Sequence, residues 1–194
     1  MSNKTEIRGF LMLLLAASTL LLSGSFRANA QRTMRGQYHA SAEAVTTADK
    51  GVPIGGELSF GQYLLCSYWN AWINVSPDYI PLDSTVMMRY IPLTGGADYM
   101  HRIAATRSRS VNLYIGAGVF LGYEFYDPWK TVPPYMETGR EGDAFIYGLS
   151  PGLVSEFFMT RAVALTLSAR MPVSFSSQAK IIKAHIKAGI RINI

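Results

Sequence analysis

The sequence predicts an all-β fold, an eight-stranded antiparallel up-and-down transmembrane β-barrel of the outer membrane, and three observations carry that prediction. The first thirty residues have the layout of an export signal. The rest of the chain alternates apolar and polar residues at period two, and the alternating segments are longer than soluble strands need to be.

Export comes first along the chain. Lys4 and Arg8 precede an apolar run from Phe10 to Leu22, and Ala28-Asn29-Ala30 then sets small residues around a polar one. That is the three-part layout of a cleavable signal peptide. A spanning helix needs about 20 apolar residues, which this run lacks. Residues 1–30 are therefore expected to be removed and residues 31–194 to form the outer-membrane barrel domain. No Cys follows the run to accept a lipid.

The part from Gln31 onward has 164 residues, a single-domain length, with 15 basic and 12 acidic side chains. A nucleic-acid-binding domain clusters its Lys and Arg on one face. Here they are scattered between apolar segments, so no direct nucleic acid contact is expected. The one cysteine, Cys66, has no partner for an internal disulfide and reads as a small buried or lipid-facing residue.

The strands follow in order. In residues 37–47, Tyr38, Ala40, Ala42 and Ala44 interleave with Gln37, His39, Ser41 and Glu43. In 53–64, Leu58 and Phe60 interleave with Glu57, Ser59 and Gly61; in 67–76, Trp69, Ala71, Ile73 and Val75 interleave with Asn70, Trp72 and Asn74. The fourth segment, 83–105, is interrupted by Pro92, Gly95 and Gly96, which mark either a bulge or a division into two shorter pieces. The fifth, 110–126, is the clearest: Val111, Leu113, Ile115, Ala117, Val119, Leu121, Tyr123 and Phe125 alternate with a Gly-rich row that ends at Glu124. In 143–158, Phe145, Tyr147, Leu149, Leu153 and Phe157 oppose Gly148, Ser150, Gly152 and Glu156; in 161–174, Val163, Leu165, Leu167, Ala169 and Met171 oppose Thr166, Ser168 and Arg170. The last segment, 180–194, sets Ile186, Ala188, Ile190, Ile192 and Ile194 against His185, Lys187, Gly189, Arg191 and Asn193.

Length and charge decide between a soluble sandwich and a membrane barrel. Soluble strands run to about 5 or 6 residues, tilted membrane strands to about 9 to 11. The charged residues Glu43, Glu57, Glu124, Glu156, Arg170, Lys187 and Arg191 share the row that carries the glycines. Turned inward, that row gives a polar lumen whose charges pair with one another, while the apolar row meets lipid. The uncharged stretch from Leu58 to Pro77 is about long enough to span as a helix, but Gly61, Gln62, Ser67, Asn70 and Asn74 would then be spread around it in hydrocarbon, so a hairpin is expected instead. Tight connections at 65–67, 106–110 and 158–161 alternate with longer ones at 47–53, 75–83, 126–143 and 175–180, as periplasmic turns alternate with external loops; both chain ends then lie on the periplasmic side. Tyr38, Tyr63, Trp69, Tyr99, Tyr123, Phe145 and Phe157 are candidates for aromatic girdles.

Signs of catalysis are few. An eight-stranded barrel has an interior that side chains fill, so the inward charges read as a buried ion-pair network. His39, His101 and His185 are dispersed, and neither Ser41 nor Ser168 sits in a nucleophile elbow. No His or Cys pair has metal-ligand spacing, and Gly116-Ala117-Gly118 lies inside a strand rather than opening a helix, as a phosphate loop would. Neither catalytic residues nor a cofactor are expected. The loop bearing Asp127, Pro128, Trp129 and Tyr135 is the candidate contact surface for a partner.

The segments 61–69 (GQYLLCSYW), 105–111 (ATRSRSV), 120–124 (FLGYE) with 126–129 (YDPW), and 156–158 (EFF) followed by 161–165 (RAVAL) resemble the conjugal transfer protein TraO family of conjugative transposons, as do Gln31-Arg32 and the closing Gly189-Ile190-Arg191-Ile192-Asn193. That resemblance implies a non-enzymatic outer-membrane component of a conjugative DNA-transfer apparatus. Its partners would be outer-membrane lipid and other conjugation-machinery proteins, with a homo-oligomer left open. The alternatives from other classes are an adhesion or binding barrel and a lipid-modifying barrel enzyme.

Overall fold

The computed structural model describes residues 35–47, 54–81, 87–126, 144–176 and 184–194. They form eleven strands: β1 Tyr38–Thr47, β2 Gly55–Tyr63, β3 Ser67–Val75, β4 Asp78–Pro81, β5 Met87–Ala105, β6 Val111–Tyr126, β7 Ala144–Leu149, β8 Gly152–Phe158, β9 Val163–Arg170, β10 Val173–Ser174 and β11 His185–Asn193. Every pairing is antiparallel, and the order β1-β2-β3-β5-β6-β8-β9-β11 returns to β1 and so closes the sheet, with β4 beside β5, β7 beside β6 and β10 beside β7.

Eleven strands make eight staves, because three breaks each fall at a proline. β3 passes through Ser76-Pro77 into β4, and both pair with β5. β7 passes through Ser150-Pro151 into β8, and both pair with β6. β9 passes through Met171-Pro172 into β10, which stays beside the β8–β7 stave. Proline lacks the N–H that a central ladder needs, so the hydrogen-bonded run is interrupted while the stave continues. Inward and outward rows keep their parity across each break: Asn74, Ser76 and Asp78 are all buried, as are Ile146, Ser150 and Val154. The third stave thus extends past residue 76, where a loop from 75 to 83 was expected.

The fourth stave also differs from expectation. β5 is one unbroken strand of 19 residues, and its register shift lies between Arg102 and Ala104, not at Pro92, Gly95 or Gly96. Pro92 is tolerated because its carbonyl faces Ser76, whose N–H donates to it at 3.4 Å. A residue's N–H points to the same side as its C=O, so the missing donor of Pro92 faces the β3–β4 break, where there is no ladder to complete.

The stagger fixes the shape. Paired residues taken round from Thr47 run through His185, Arg170, Gly152, Gly116, Met100, Tyr68 and Tyr63, and return to β1 at Gln37, ten residues lower. Such a shear tilts eight strands by about 40° and leaves an interior that side chains fill. On the β7–β8 stave, Phe145 and Phe157 then stand about 30 Å apart in height, at 3.3 Å rise per residue, close to the band of about 25 Å that girdles bracket.

The outer wall is apolar: Val119 is 59% exposed and Leu121 60%, with Ile73, Leu58, Ile115, Ile190 and Ile192 also exposed. Left in water, this wall would be a single apolar patch far larger than soluble monomers carry; lipid removes that cost. Tyr123, Phe125, Phe145, Tyr147 and Phe175 gather on the outer wall at the long-loop end, and Tyr38, Trp69 and Tyr99 towards the short-turn end. Tyr63 does not join them. It is 1% exposed and points inward, because it shares the parity of Glu57 and Gly61. Cys66, expected to be buried or lipid-facing, is exposed in the turn between β2 and β3. No helix of the described residues is long and apolar enough to cross a membrane.

Candidate functional site: the lumen

Eight inward glycines give the lumen its room. Each pairs directly, across one strand boundary, with a larger side chain: Gly61 with His39, Gly96 with Trp72, Gly148 with Phe120, Gly189 with Glu43, Gly118 with Asp98, Gly116 with Met100, Gly152 with Arg170 and Gly122 with Thr94. A Cβ on Gly96 would meet the Trp72 ring, one on Gly148 the Phe120 ring, and one on Gly189 the Glu43 stem. At these eight positions the missing side chain makes room for the larger one on the next strand, whereas Tyr63 and Tyr68 stand opposite each other and pack edge to face.

Towards the short-turn end the space is filled by rings around one ion pair. Arg191 and Glu156, 2% and 0% exposed, pair on β11 and β8. Tyr63 Oη donates to Glu156 Oε1 at 3.0 Å, and the Arg191 guanidinium lies 4.7 Å from the Tyr68 ring centroid. His39 packs between Tyr63 (4.7 Å) and Tyr68 (5.3 Å), and Tyr114 meets Tyr68 edge to face at 4.9 Å. Met100 and Val154 close the apolar part of this plug.

A second level sits above it. Lys187 pairs with Glu57, Arg170 bridges Glu57 at 3.3 Å and Asp98, and Ser150 Oγ donates to Asp98 Oδ1 at 3.1 Å. Glu43 accepts from Thr166 at 2.9 Å and from Ser168 at 3.4 Å. Trp72 lies under both cations, with Arg170 Cζ 4.6 Å and Lys187 Nζ 5.4 Å from its ring, and packs with Phe120 and Ile146. These attractions act where water is excluded, so each charge needs its partner. Glu124, also buried, lines a cavity of about 50 Å³ at the long-loop end with Tyr90, Asn74, Thr94 and His185. That is room for a few waters.

All seven charged residues singled out in the sequence face the lumen, but they divide into separate sets: Glu156 with Arg191; Glu57 with Lys187 and Arg170; Glu43 with two hydroxyls; and Glu124 in the upper wall. The sequence reading set His39 and Tyr114 on the inward rows without giving them a part in the lumen network, and it missed Asp98 and Tyr68, which parity would have found, since each shares the inward row of its strand. Asp127, Pro128, Trp129 and Tyr135 lie outside the described residues. His101 stands on the outer row and His185 at the upper cavity, so the structure does not bring the three histidines together. Among the described residues no cluster of His, Cys, Asp or Glu is arranged to hold a metal ion.

A wall closed without an edge, apolar outside and ion-paired inside, defines a small transmembrane β-barrel. Solved barrels share this fold. The N-terminal β-barrel domain of Pseudomonas aeruginosa OprF superposes with a TM-score of 0.55 at 9% identity, over 82% of this chain and 98% of that one. Neisserial surface protein A gives 0.55 at 16% identity, over 81% and 96%. Ail of Yersinia pestis, in complex with the heparin analogue sucrose octasulfate, gives 0.52 at 13%, over 83% and 100%. At these identities the likeness is one of fold. The family itself comes from the sequence: the model for Conjugative transposon protein TraO matches residues 55–194, and the chain belongs to that family. No curated protein matches it.

Proposed function

We propose that this barrel is a non-enzymatic outer-membrane component of the apparatus through which a conjugative transposon passes DNA between cells. Export would proceed through a signal peptide cleaved after Ala30. The observation that carries the reading, beside family membership, is the filled lumen. Two levels of buried ion pairs and edge-packed rings occupy the described lumen, so a route for DNA through one copy would have to displace them. Function is then assigned to the surfaces the barrel presents. The segment with Asp127, Pro128, Trp129 and Tyr135 is the candidate contact for other transfer proteins, since aromatic side chains supply the contact area such interfaces use.

The test is deletion in a donor strain, scored by mating frequency together with the profile of envelope lipids. Loss of transfer with unchanged lipids supports the proposal. Normal transfer overturns it, and altered lipid chains would point to an enzyme. An adhesion role is the alternative that the fold likeness to Ail brings in; it predicts that a recipient's attachment changes while transfer between pre-bound cells stays normal.

A further inference from the structure

The end of the barrel that carries the short turns is ringed by arginine alone. Arg35 precedes β1, Arg107 and Arg109 stand in the β5–β6 turn and Arg161 in the β8–β9 turn, while Arg102, at the bulge of β5, stands on the lumen-facing row opposite Tyr114 and donates to Cys66 Sγ at 3.7 Å. Among the described residues at this end (35–38, 62–69, 99–112, 157–164 and 192–194) there is no Lys, Asp or Glu. The side-chain carboxylates of the described residues all lie deeper in the lumen or towards the long loops.

The turns hold these charges out. In the β5–β6 turn Arg109 N donates to Thr106 O at 2.8 Å, Val111 N to Thr106 Oγ1 at 3.1 Å, and Ser108 and Ser110 hydroxyls bond at 2.7 Å. Arg109 takes φ 57° there. In the β8–β9 turn Val163 N donates to Thr160 Oγ1 at 3.0 Å. Arg35, Arg107, Arg109 and Arg161 are exposed. Just above them on the outer wall stand Tyr38, Trp69 and Tyr99, the aromatics that mark where hydrocarbon ends.

We infer that this rim binds the phosphates of anionic phospholipid in the leaflet that surrounds the short-turn end. Three features favour lipid over an acidic protein. The arginines are distributed around the circumference, as a surrounding leaflet requires and a partner docked on one side does not. They follow immediately on the aromatic level, where headgroup phosphates lie, and a side chain of Arg length reaches that plane from the turns. The choice of Arg without Lys suits phosphate, which the planar guanidinium meets with two parallel hydrogen bonds. The inference rests on the membrane-spanning class of the barrel and not on its role in transfer.

Trp69 gives the experiment a reporter, since it lies on the outer wall at this level while Trp72 is buried in the lumen. The full exported chain, with Trp129→Phe, is reconstituted in phosphatidylcholine vesicles containing brominated phosphatidylglycerol or brominated phosphatidylcholine in equal fraction. Quenching of Trp69 should be at least twofold more effective with the phosphatidylglycerol, and the preference should vanish in the variant R35Q/R107Q/R109Q/R161Q. Raising salt from 0.1 to 1 M, which shortens the screening length from about 10 to 3 Å, should reduce the preference in the unaltered rim, and this measurement stands even if the variant fails to insert. Equal quenching by both lipids, or a preference indifferent to salt and to the four substitutions, overturns the inference. Equal quenching together with a transfer defect in the variant would assign the rim to an acidic protein instead.

Discussion

Glu156 offers the sharpest test of the idea that the polar lumen holds the barrel together. The substitution Glu156→Gln keeps an oxygen for the Tyr63 hydroxyl, which donates at 3.0 Å, and keeps the side-chain volume, so it removes little except the charge. Arg191, 2% exposed and paired with Glu156, is then left as a buried cation facing the Tyr68 ring, with no carboxylate in the pair. Removing one member of a buried pair costs about 3 to 5 kcal/mol, more than a hundredfold in the folding equilibrium. Arg191→Met alone strands the carboxylate and should cost a similar amount. The double variant Glu156→Gln/Arg191→Met buries no charge, and should recover about 2 to 3 kcal/mol relative to the sum of the single effects. The assay is reversible urea unfolding of the barrel in detergent or thin bilayers, followed by the heat-modifiable gel mobility of folded barrels and by tryptophan fluorescence. A cost below about 1 kcal/mol for Glu156→Gln, or strict additivity in the double variant, would refute the reasoning and mean that water reaches this level of the lumen.

The glycine pairing predicts that Gly116→Ala, whose new methyl would run into the Tyr99 carbonyl and Met100, destabilises by about 1 to 3 kcal/mol, whereas Gly56→Ala, with nothing within 4 Å, stays within about 0.5 kcal/mol; the same unfolding assay separates them, and equal effects would contradict the packing. On the lipid face, Ile115→Arg should cost up to about 2 to 4 kcal/mol, less the nearer the site lies to the interface, while Ile115→Leu changes little; folding yields into bilayers read this directly. Trp129→Ala with Tyr135→Ala should lower mating frequency without lowering the amount of barrel in the membrane, measured in the same strains. Mass spectrometry of the exported protein should find Gln31 at its start, and retained residues 1–30 would defeat the signal assignment.

Much of this architecture was legible in the sequence because a strand has period two and one face of it meets lipid. Shifting a stave by one residue would put Ile115 in the lumen and Glu124 in hydrocarbon, so the rows assign almost every side chain to inside or outside. The tight turns at 65–67, 106–110 and 158–161 gave the number of staves for the same reason: each separates two long alternating runs. Where the sequence reading strayed, it weighed residue type above parity. Tyr63 was placed with the girdles as an aromatic, although it shares the row of Glu57 and Gly61, and in the fourth stave Pro92 and two glycines were expected to mark a bulge or a division, although its rows continue through them.

What only the tertiary structure decided is which inward residues meet. Glu57 and Lys187 are 130 residues apart, and Glu156 and Arg191 sit on staves that do not pair with each other. No local spacing encodes either contact. Their meeting follows from the ten-residue stagger accumulated around the closed ring, which sets the height of every side chain relative to those across the lumen. It also follows from glycines on one strand that make room for a large residue on the next. Periodicity is a property of a single strand, and so the sequence by itself determined the faces; stagger is a property of all eight closed together, and so the ion pairs and the plug of rings between them were settled only by closure.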